Sequence, residues 1–440
     1  DGKAVASGRL VLVPGRAETE SRQHESTSGV TLHPEEGIEM AEQQDGSRRR
    51  FLEHSAKAAT GILGLASIHH QQPVNAADVD RSISVKTPTG VRQTSVLFDP
   101  GQYTAFPHVV KLEGQELLMA FRQAPSQERV RHTHPRSVIT VIRSYNGGET
   151  WDIENAGQLA AGGGQEFAPI HLGRGQVGGL LAMHAVVPVK EAQRASIPHR
   201  HKHEYPFANV GGFWCWSENS GLTWPLNHHV LFAPRLQTCS KPIRLSSGTL
   251  LAPCYGAIGA GLEGLSSNVV YRSDDNGRTW SPPAVMAQGA KTTRVYYEPG
   301  LVEMGDGHVV ALHRTGRCQD SRSGLFWRNE SRDGGRTWTD PVETNITSGA
   351  CPRLLKLSDG RLLLTFGRRY APFGLYARLS NDAGRTWNPT SWLLRPALDS
   401  NQGYSSSIEL KPGRIFTACY ARNKVGVTGI TGTFWKPPPA

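Results

Sequence analysis

Side chains able to do chemistry fall at a few marked places in this chain. Arg131-His-Thr-His-Pro135 offers His132 and His134, either of which could move a proton near neutral pH. His199-Arg-His-Lys-His203 alternates imidazoles as some metal-binding loops do. No Cys or acidic partner stands there at diagnostic spacing, so a solvated loop is expected, with no metal and no cofactor. Elsewhere the chain supplies a carboxylate in Tyr297-Glu298-Pro299 and a guanidinium at Arg314. It adds two more, Arg368 and Arg369, in Gly367-Arg-Arg-Tyr-Ala-Pro-Phe-Gly374, and a phenol in Gly403-Tyr404-Ser405-Ser406. A phenol with a pKa of about 10 is a poor nucleophile alone. An adjacent carboxylate can take its proton, and neighbouring guanidinium groups favour the phenolate. Paired arginines can also hold a carboxylate in bidentate fashion.

What must position these residues is set by a phrase that returns five times, S-x-[DN]-x-G-x-T-W. It begins at Ser144, Ser217, Ser273, Ser331 and Ser380 and ends at Trp151, Trp224, Trp280, Trp338 and Trp387. Its chemistry is that of a hairpin turn. An Asp or Asn side chain bonds backbone two residues on, Gly allows positive φ, and Trp carries apolar surface into the layer beneath. Before each box lies an apolar run, a Gly-containing turn and a second apolar run, clearest in Leu301–Leu312 and Leu354–Thr365. Related hairpins occur at Val109–Arg122, Pro169–Val186, Pro242–Tyr255 and Ser406–Tyr420. Six hairpins and five boxes, at a period of roughly 50–70 residues, predict an all-β six-bladed propeller of four-stranded antiparallel blades. Each box then joins a third strand to a fourth, so all the boxes share one face. Chemistry is expected on the other face, at the starts of first strands and the ends of second strands.

The repeated box on six such blades resembles the sialidase superfamily of BNR, or Asp-box, proteins, over about residues 100–425. The resemblance implies a sialidase-like exo-glycosidase acting on a carbohydrate. In that family a Glu at a first-strand start polarises a nucleophilic Tyr, and an Arg at a strand end binds the substrate carboxylate. Carried over, Tyr404 is the nucleophile, Glu298 its base, and Arg314, Arg369 and its neighbour Arg368 bind substrate. The chain also departs from the family. Sialidases open blade one with Arg-Ile-Pro, where this chain has Ala105-Phe106-Pro107. Arg122, at the end of the blade-one hairpin, is the candidate replacement for the missing arginine. The family's acid/base Asp follows that hairpin, but Gln123 to Ser144 contains no Asp and only Glu128 as an acid, so His134 is the substitute candidate. The expected substrate is therefore a terminal acidic or otherwise polar sugar, with ordinary sialosides turned over poorly. A polysaccharide lyase or His-dependent glycosidase on the same fold, and a glycan-binding propeller without turnover, are the alternatives.

The first 77 residues carry no box. Ser47-Arg-Arg-Arg-Phe-Leu-Glu53, the mild apolar run Ala56–Ile68 and the small residues Val74-Asn75-Ala76 resemble a twin-arginine export signal. The expectation is an over-extended start or leader at 1–39, an export signal at 40–77 and the propeller at 78–440, in a periplasmic or extracellular protein. The apolar run is shorter than the roughly 20 residues a membrane span needs. The formal net charge of +10 suits either an anionic partner or a scattered basic surface, and no basic run interleaved with aromatics points to nucleic acid. Six cysteines, mostly in or beside strand-like runs, are expected to be free and buried, with any disulfide pairing open. Finally, the strand pattern of Arg81–Phe98 is expected to complete the sixth blade beside the C-terminal strands, since a ring of blades must hide its edges.

Overall fold

Alternating apolar runs separated by Gly turns form strands here because each strand buries one row of side chains against a neighbouring blade. The computed structural model of the chain describes residues 84–439, apart from 127–132, 187–206, 259–264, 291–293, 317–324 and 348. These lie in one unit, which runs from Gln71 to Ala440. The leader, the export segment, Glu128, His132, the 199–203 histidine loop and Cys318 fall outside the described residues.

Six sheets are present, each led by a first strand that begins a blade. Those strands are Gln102–Lys111, Gly164–Gly173, Ile243–Arg244, Val295–Gly305, Arg353–Lys356 and Gly403–Lys411. Each pairs antiparallel with its hairpin partner, and the order within every blade is first, second, third, fourth. The only helical turn among the described residues is a single 3-10 turn, Leu226–His228. No helix among them is long and apolar enough to cross a membrane.

The closure of the ring follows the expectation and refines it. Arg92–Leu97 pairs antiparallel with the last strand, Thr428–Trp435, and becomes the fourth strand of blade six. This is why six blades need only five boxes: the sixth blade's outer strand comes from the other end of the chain. Arg81–Phe98 does not act as one strand, however. Ser84–Lys86 leaves blade six and adds a parallel fifth strand to the edge of blade five, against Thr390–Trp392. The turn at Gly90, with φ +66°, separates the two pieces.

Each box is a closed hydrogen-bonded turn. In all five, the Ser Oγ accepts the N–H of the box glycine at 2.8–2.9 Å. The Asx side chain accepts the N–H of the box threonine at 2.9–3.0 Å. The glycine is required at Gly277. Its φ is +88°, and a Cβ there would lie 2.1 Å from the Trp214 indole nitrogen. That indole belongs to the preceding blade and meets Trp280 edge-on at 5.5 Å. The boxes thus staple blade to blade through aromatic contacts between neighbours.

Candidate active site

The channel end of each first strand is shaped by one recurring defect. In blade one, Ala105 pairs with Arg122 and His108 with Ala120, so Phe106 and Pro107 face a single partner residue. Blade four repeats this with Tyr297–Arg314 and Gly300–Leu312 around Glu298 and Pro299. Blade six repeats it with Gly403–Tyr420 and Ser406–Ala418 around Tyr404 and Ser405. These are β-bulges, and they re-aim the first bulged side chain. Phe106, Glu298 and Tyr404 accordingly have φ of +60°, +45° and +48°, in the left-handed region where a side chain costs about 1–3 kcal/mol. Blade five's register, with Arg353 opposite Thr365, sets Cys351 at the same level.

The bulges bring Tyr404 of blade six onto Glu298 and Arg314 of blade four. Tyr404 Oη donates to Glu298 Oε1 at 2.6 Å. Arg314 Nη1 donates to Glu298 Oε2 at 2.6 Å and reaches Tyr404 Oη at 3.4 Å. The Cys351 thiol also donates to Glu298 Oε2, at 2.9 Å. Burial alone would raise the Glu298 carboxyl, but Arg314 and the hydrogen bonds from Cys351 and Tyr404 outweigh it and bring it down to about 2. Burial and the Glu298 charge push the Tyr404 phenol well above 10, against the pull of Arg314 and Arg369. The resting pair is therefore an ionised carboxylate holding a neutral phenol. Such a pair can act as nucleophile and base only as charge develops on an attacked centre, when Arg314 is placed to compensate it.

The other candidates divide. Arg369 lies beside the pair: its Cζ is 5.1 Å from the Tyr404 ring centre, Nη2 donates to Tyr420 Oη at 2.7 Å, and Nε donates to Gln402 O at 3.3 Å. The blade-five register sets Gly367, rather than Arg369, level with Arg314. Arg369 reaches the pair from two residues further along, where Gly367 and Gly403 let blades five and six approach closely. Arg368 is not brought to this cluster. On the alternate face of the strand, it donates to Ala371 O at 2.9 Å and stacks over Tyr370 and Tyr376, because successive strand residues point to opposite sides. Arg122 stands at the level of Arg314 but is fully buried, 5.7 Å from the Tyr103 ring centre. It meets the cluster through Tyr103 and Tyr420. His134 is buried, and its Nδ1 accepts the Arg136 N–H at 3.0 Å, which ties the ring to its own turn.

Residue types alone did not single out several members of the site. Phe106 occupies the blade-one position equivalent to Glu298 and Tyr404 and packs edge-on against Tyr404 at 4.9 Å and Tyr420 at 5.4 Å. Tyr420 sits in blade six where Arg314 sits in blade four, so the rule of second-strand ends could have found it. One level nearer the boxes the register aligns His108, Glu166, Lys241 and Arg353 from blades one, two, three and five. Arg353 donates to Glu166 Oε1 at 3.0 Å, and His108 Nε2 meets the same oxygen. Lys241 Nζ donates to Val109 O at 2.9 Å. This ring of titratable groups ties blades together directly beneath the Tyr404 pair.

The family model described as a BNR repeat-like domain matches residues 199–417. Those residues carry a BNR repeat-like domain, and the chain has the six-bladed fold that the following solved structures share. Similar solved structures include a protein of unknown function from Dyadobacter fermentans, at 22% identity and TM-score 0.69 over 80% of this chain and all of that one. The NanB sialidase from Streptococcus pneumoniae matches at 14% identity and TM-score 0.55, over 78% of this chain and 70% of that one. The alpha-L-arabinofuranosidase Arb93A from Fusarium graminearum matches at 11% identity and TM-score 0.53, over 78% and 97%. No curated protein matches the chain in sequence. At these identities the likeness is one of fold, and the proteins that share it include a sialidase and an alpha-L-arabinofuranosidase.

Proposed function

We propose that this BNR-repeat propeller is a sialidase-like exo-glycosidase that hydrolyses a terminal acidic or polar sugar, with Tyr404 as nucleophile and Glu298 as its base. The observation that carries the reading is the Tyr404–Glu298–Arg314 hydrogen-bonded set, assembled by matching bulges in blades four and six. A buried ion pair costs desolvation, and two left-handed side chains cost backbone strain, so a merely structural role gives little reason for both. A tyrosine nucleophile also suits a sugar bearing its own carboxylate, which would repel an Asp or Glu. Arg314 and Arg369 flank the phenol and would hold the acidic or polar group of the sugar. Phe106, in place of a further charged group, makes one wall apolar, which favours sugars smaller or less charged than a sialoside.

The test is kcat/KM on aryl sialosides, aryl uronosides and neutral aryl glycosides, all with good leaving groups so that no general acid is required. The expected result is turnover of a uronoside or neutral sugar above the sialoside, falling about a thousand-fold or more in Tyr404→Phe. Full activity in Tyr404→Phe, or sialosides as the best substrates, would overturn it. We propose in addition that the protein is exported through the Ser47–Glu53 signal. N-terminal sequencing of the secreted form should begin near Ala77 or Asp78, and retention of an intact 40–77 segment in the cytoplasm would defeat this.

A further inference from the structure

Two cysteines of the channel are given no step in the proposed hydrolysis, although one of them hydrogen-bonds its base. Cys239, in the irregular start of blade three, and Cys351, in blade five, are 112 residues apart in sequence, yet their Sγ atoms lie 3.7 Å apart. Cys351 Sγ is also 2.9 Å from Glu298 Oε2, and the three ligand atoms fall within 4.8 Å of one another. From this geometry we infer that Cys239, Cys351 and Glu298 form a site for a thiophilic divalent cation, of which Zn2+ is the model, at the base of the Tyr404 pair.

The spacing supports it quantitatively. Two thiolates bound to zinc at about 2.3 Å with a tetrahedral angle lie about 3.8 Å apart, so the sulfurs already sit at the required separation. A thiolate and a carboxylate oxygen on the same ion lie about 3.5 Å apart, so the 2.9 Å contact of Cys351 with Glu298 need open by about half an ångström, while Cys239, within 4.8 Å of that carboxylate, closes on it. The fourth position would fall to solvent from the channel, which reaches Glu298 and Cys239 at 7% exposure each while Cys351 is sealed. Charge balance removes the usual objection to a buried ion. Binding expels one proton from each thiol, so one Zn2+ enters as two protons leave to solvent and the net charge of the pocket is unchanged. Burial opposes ionisation of both thiols, Arg353 favours it at Cys351, and Arg314 still faces the carboxylate. Bound metal would hold the carboxylate that accepts the Tyr404 proton, so it would repress turnover. That consequence rests on the hydrolase reading, but the binding does not.

Binding is read without activity, by titrating the full protein with Co2+ in a non-coordinating phosphine reductant and following the near-ultraviolet thiolate-to-cobalt charge-transfer band. One equivalent should develop the band, and excess Zn2+ should abolish it. The band should vanish in Cys239→Ser and in Cys351→Ser and persist in Cys318→Ser. Zinc-edge X-ray absorption of the parent, which needs no variant to fold, should count two sulfur neighbours. Absence of the band in the parent, its undiminished survival in either channel serine variant, or a sulfur count other than two overturns the site. If the site stands and the hydrolase reading also stands, Zn2+ lowers turnover of the parent but not of Cys239→Ser. A cobalt band with no glycosidase activity on any substrate would sink the hydrolase reading while leaving the metal site in place.

Discussion

Tyr404 and Glu298 differ in what they would lose if altered. Glu298→Gln keeps the shape and a hydrogen-bond partner for the phenol but removes the base, and kcat/KM should fall about 10²–10⁴-fold, mainly in kcat. Arg369→Ala should act differently. Its guanidinium is anchored by Tyr420 and Gln402 rather than by Glu298, so it is positioned to bind and not to activate. Losing one charged hydrogen bond of about 1.5–3 kcal/mol should cost roughly ten- to a hundred-fold in kcat/KM on an acidic sugar, chiefly through KM. A neutral sugar should be affected far less. Equal loss on both sugars would show that Arg369 shapes the site rather than reading its charge. Arg368→Ala should leave both substrates unaffected, since its guanidinium lies over Tyr370 and Tyr376.

Among the elements, the first strands carry two layers with opposite demands. The upper layer holds the strained Glu298 and Tyr404, and the lower holds Glu166 between Arg353 and His108. Burial lowers His108 well below its usual range, with Arg353 and Lys241 acting the same way, so the imidazole is neutral; burial also raises the Glu166 carboxyl well above its usual range, against the charge and hydrogen bond of Arg353. Glu166→Gln would take from that buried guanidinium the carboxyl to which it donates. Chemical denaturation should show a loss of about 3–5 kcal/mol, with the fold of the surviving native protein unchanged. The box turns make a smaller, local contribution. Ser331→Ala removes the acceptor for the Gly335 N–H and the donor to Asp333, and should cost about 1–3 kcal/mol without affecting turnover.

For the molecule as a whole, stability should depend on ring closure and on acid. Burial would raise the box carboxyls of Asp275 and Asp333, but hydrogen bonds from Thr279 and Thr337, and from the box serines, carry each down to about 2. A depressed carboxyl stabilises the fold above its unfolded pKa of about 4, and that contribution is lost as pH falls toward 2. Melting temperature should therefore decline across that window, and less steeply in a variant with Asn at both positions. Removing residues through Lys86 takes away a short exposed parallel strand and should leave the melt little changed. Removing residues through Leu97 takes the fourth strand from blade six and should broaden or abolish the cooperative transition. A sharp, unshifted melt after the longer deletion would show that the ring does not depend on this closure.

The sequence by itself determined the architecture, because propeller blades are local: Leu301–Leu312 and the box at Ser331–Trp338 write one blade almost without reference to the others. Repeating strand starts and strand ends showed where to look, and the resemblance to the sialidase superfamily then pointed to Tyr404, Glu298, Arg314 and Arg369. Tertiary structure alone decided which of two adjacent arginines faces the channel, because strand pleat and a bulge shift cannot be read from Gly367-Arg-Arg-Tyr370. It likewise split Arg81–Phe98 between two blades, and tied Arg122 and His134 into their own surroundings. The contacts of Cys239 with Cys351, and of Glu166 with Arg353, join blades that the chain visits more than a hundred residues apart. No local spacing encodes such contacts; they exist only because the ring closes and brings every first strand to one axis.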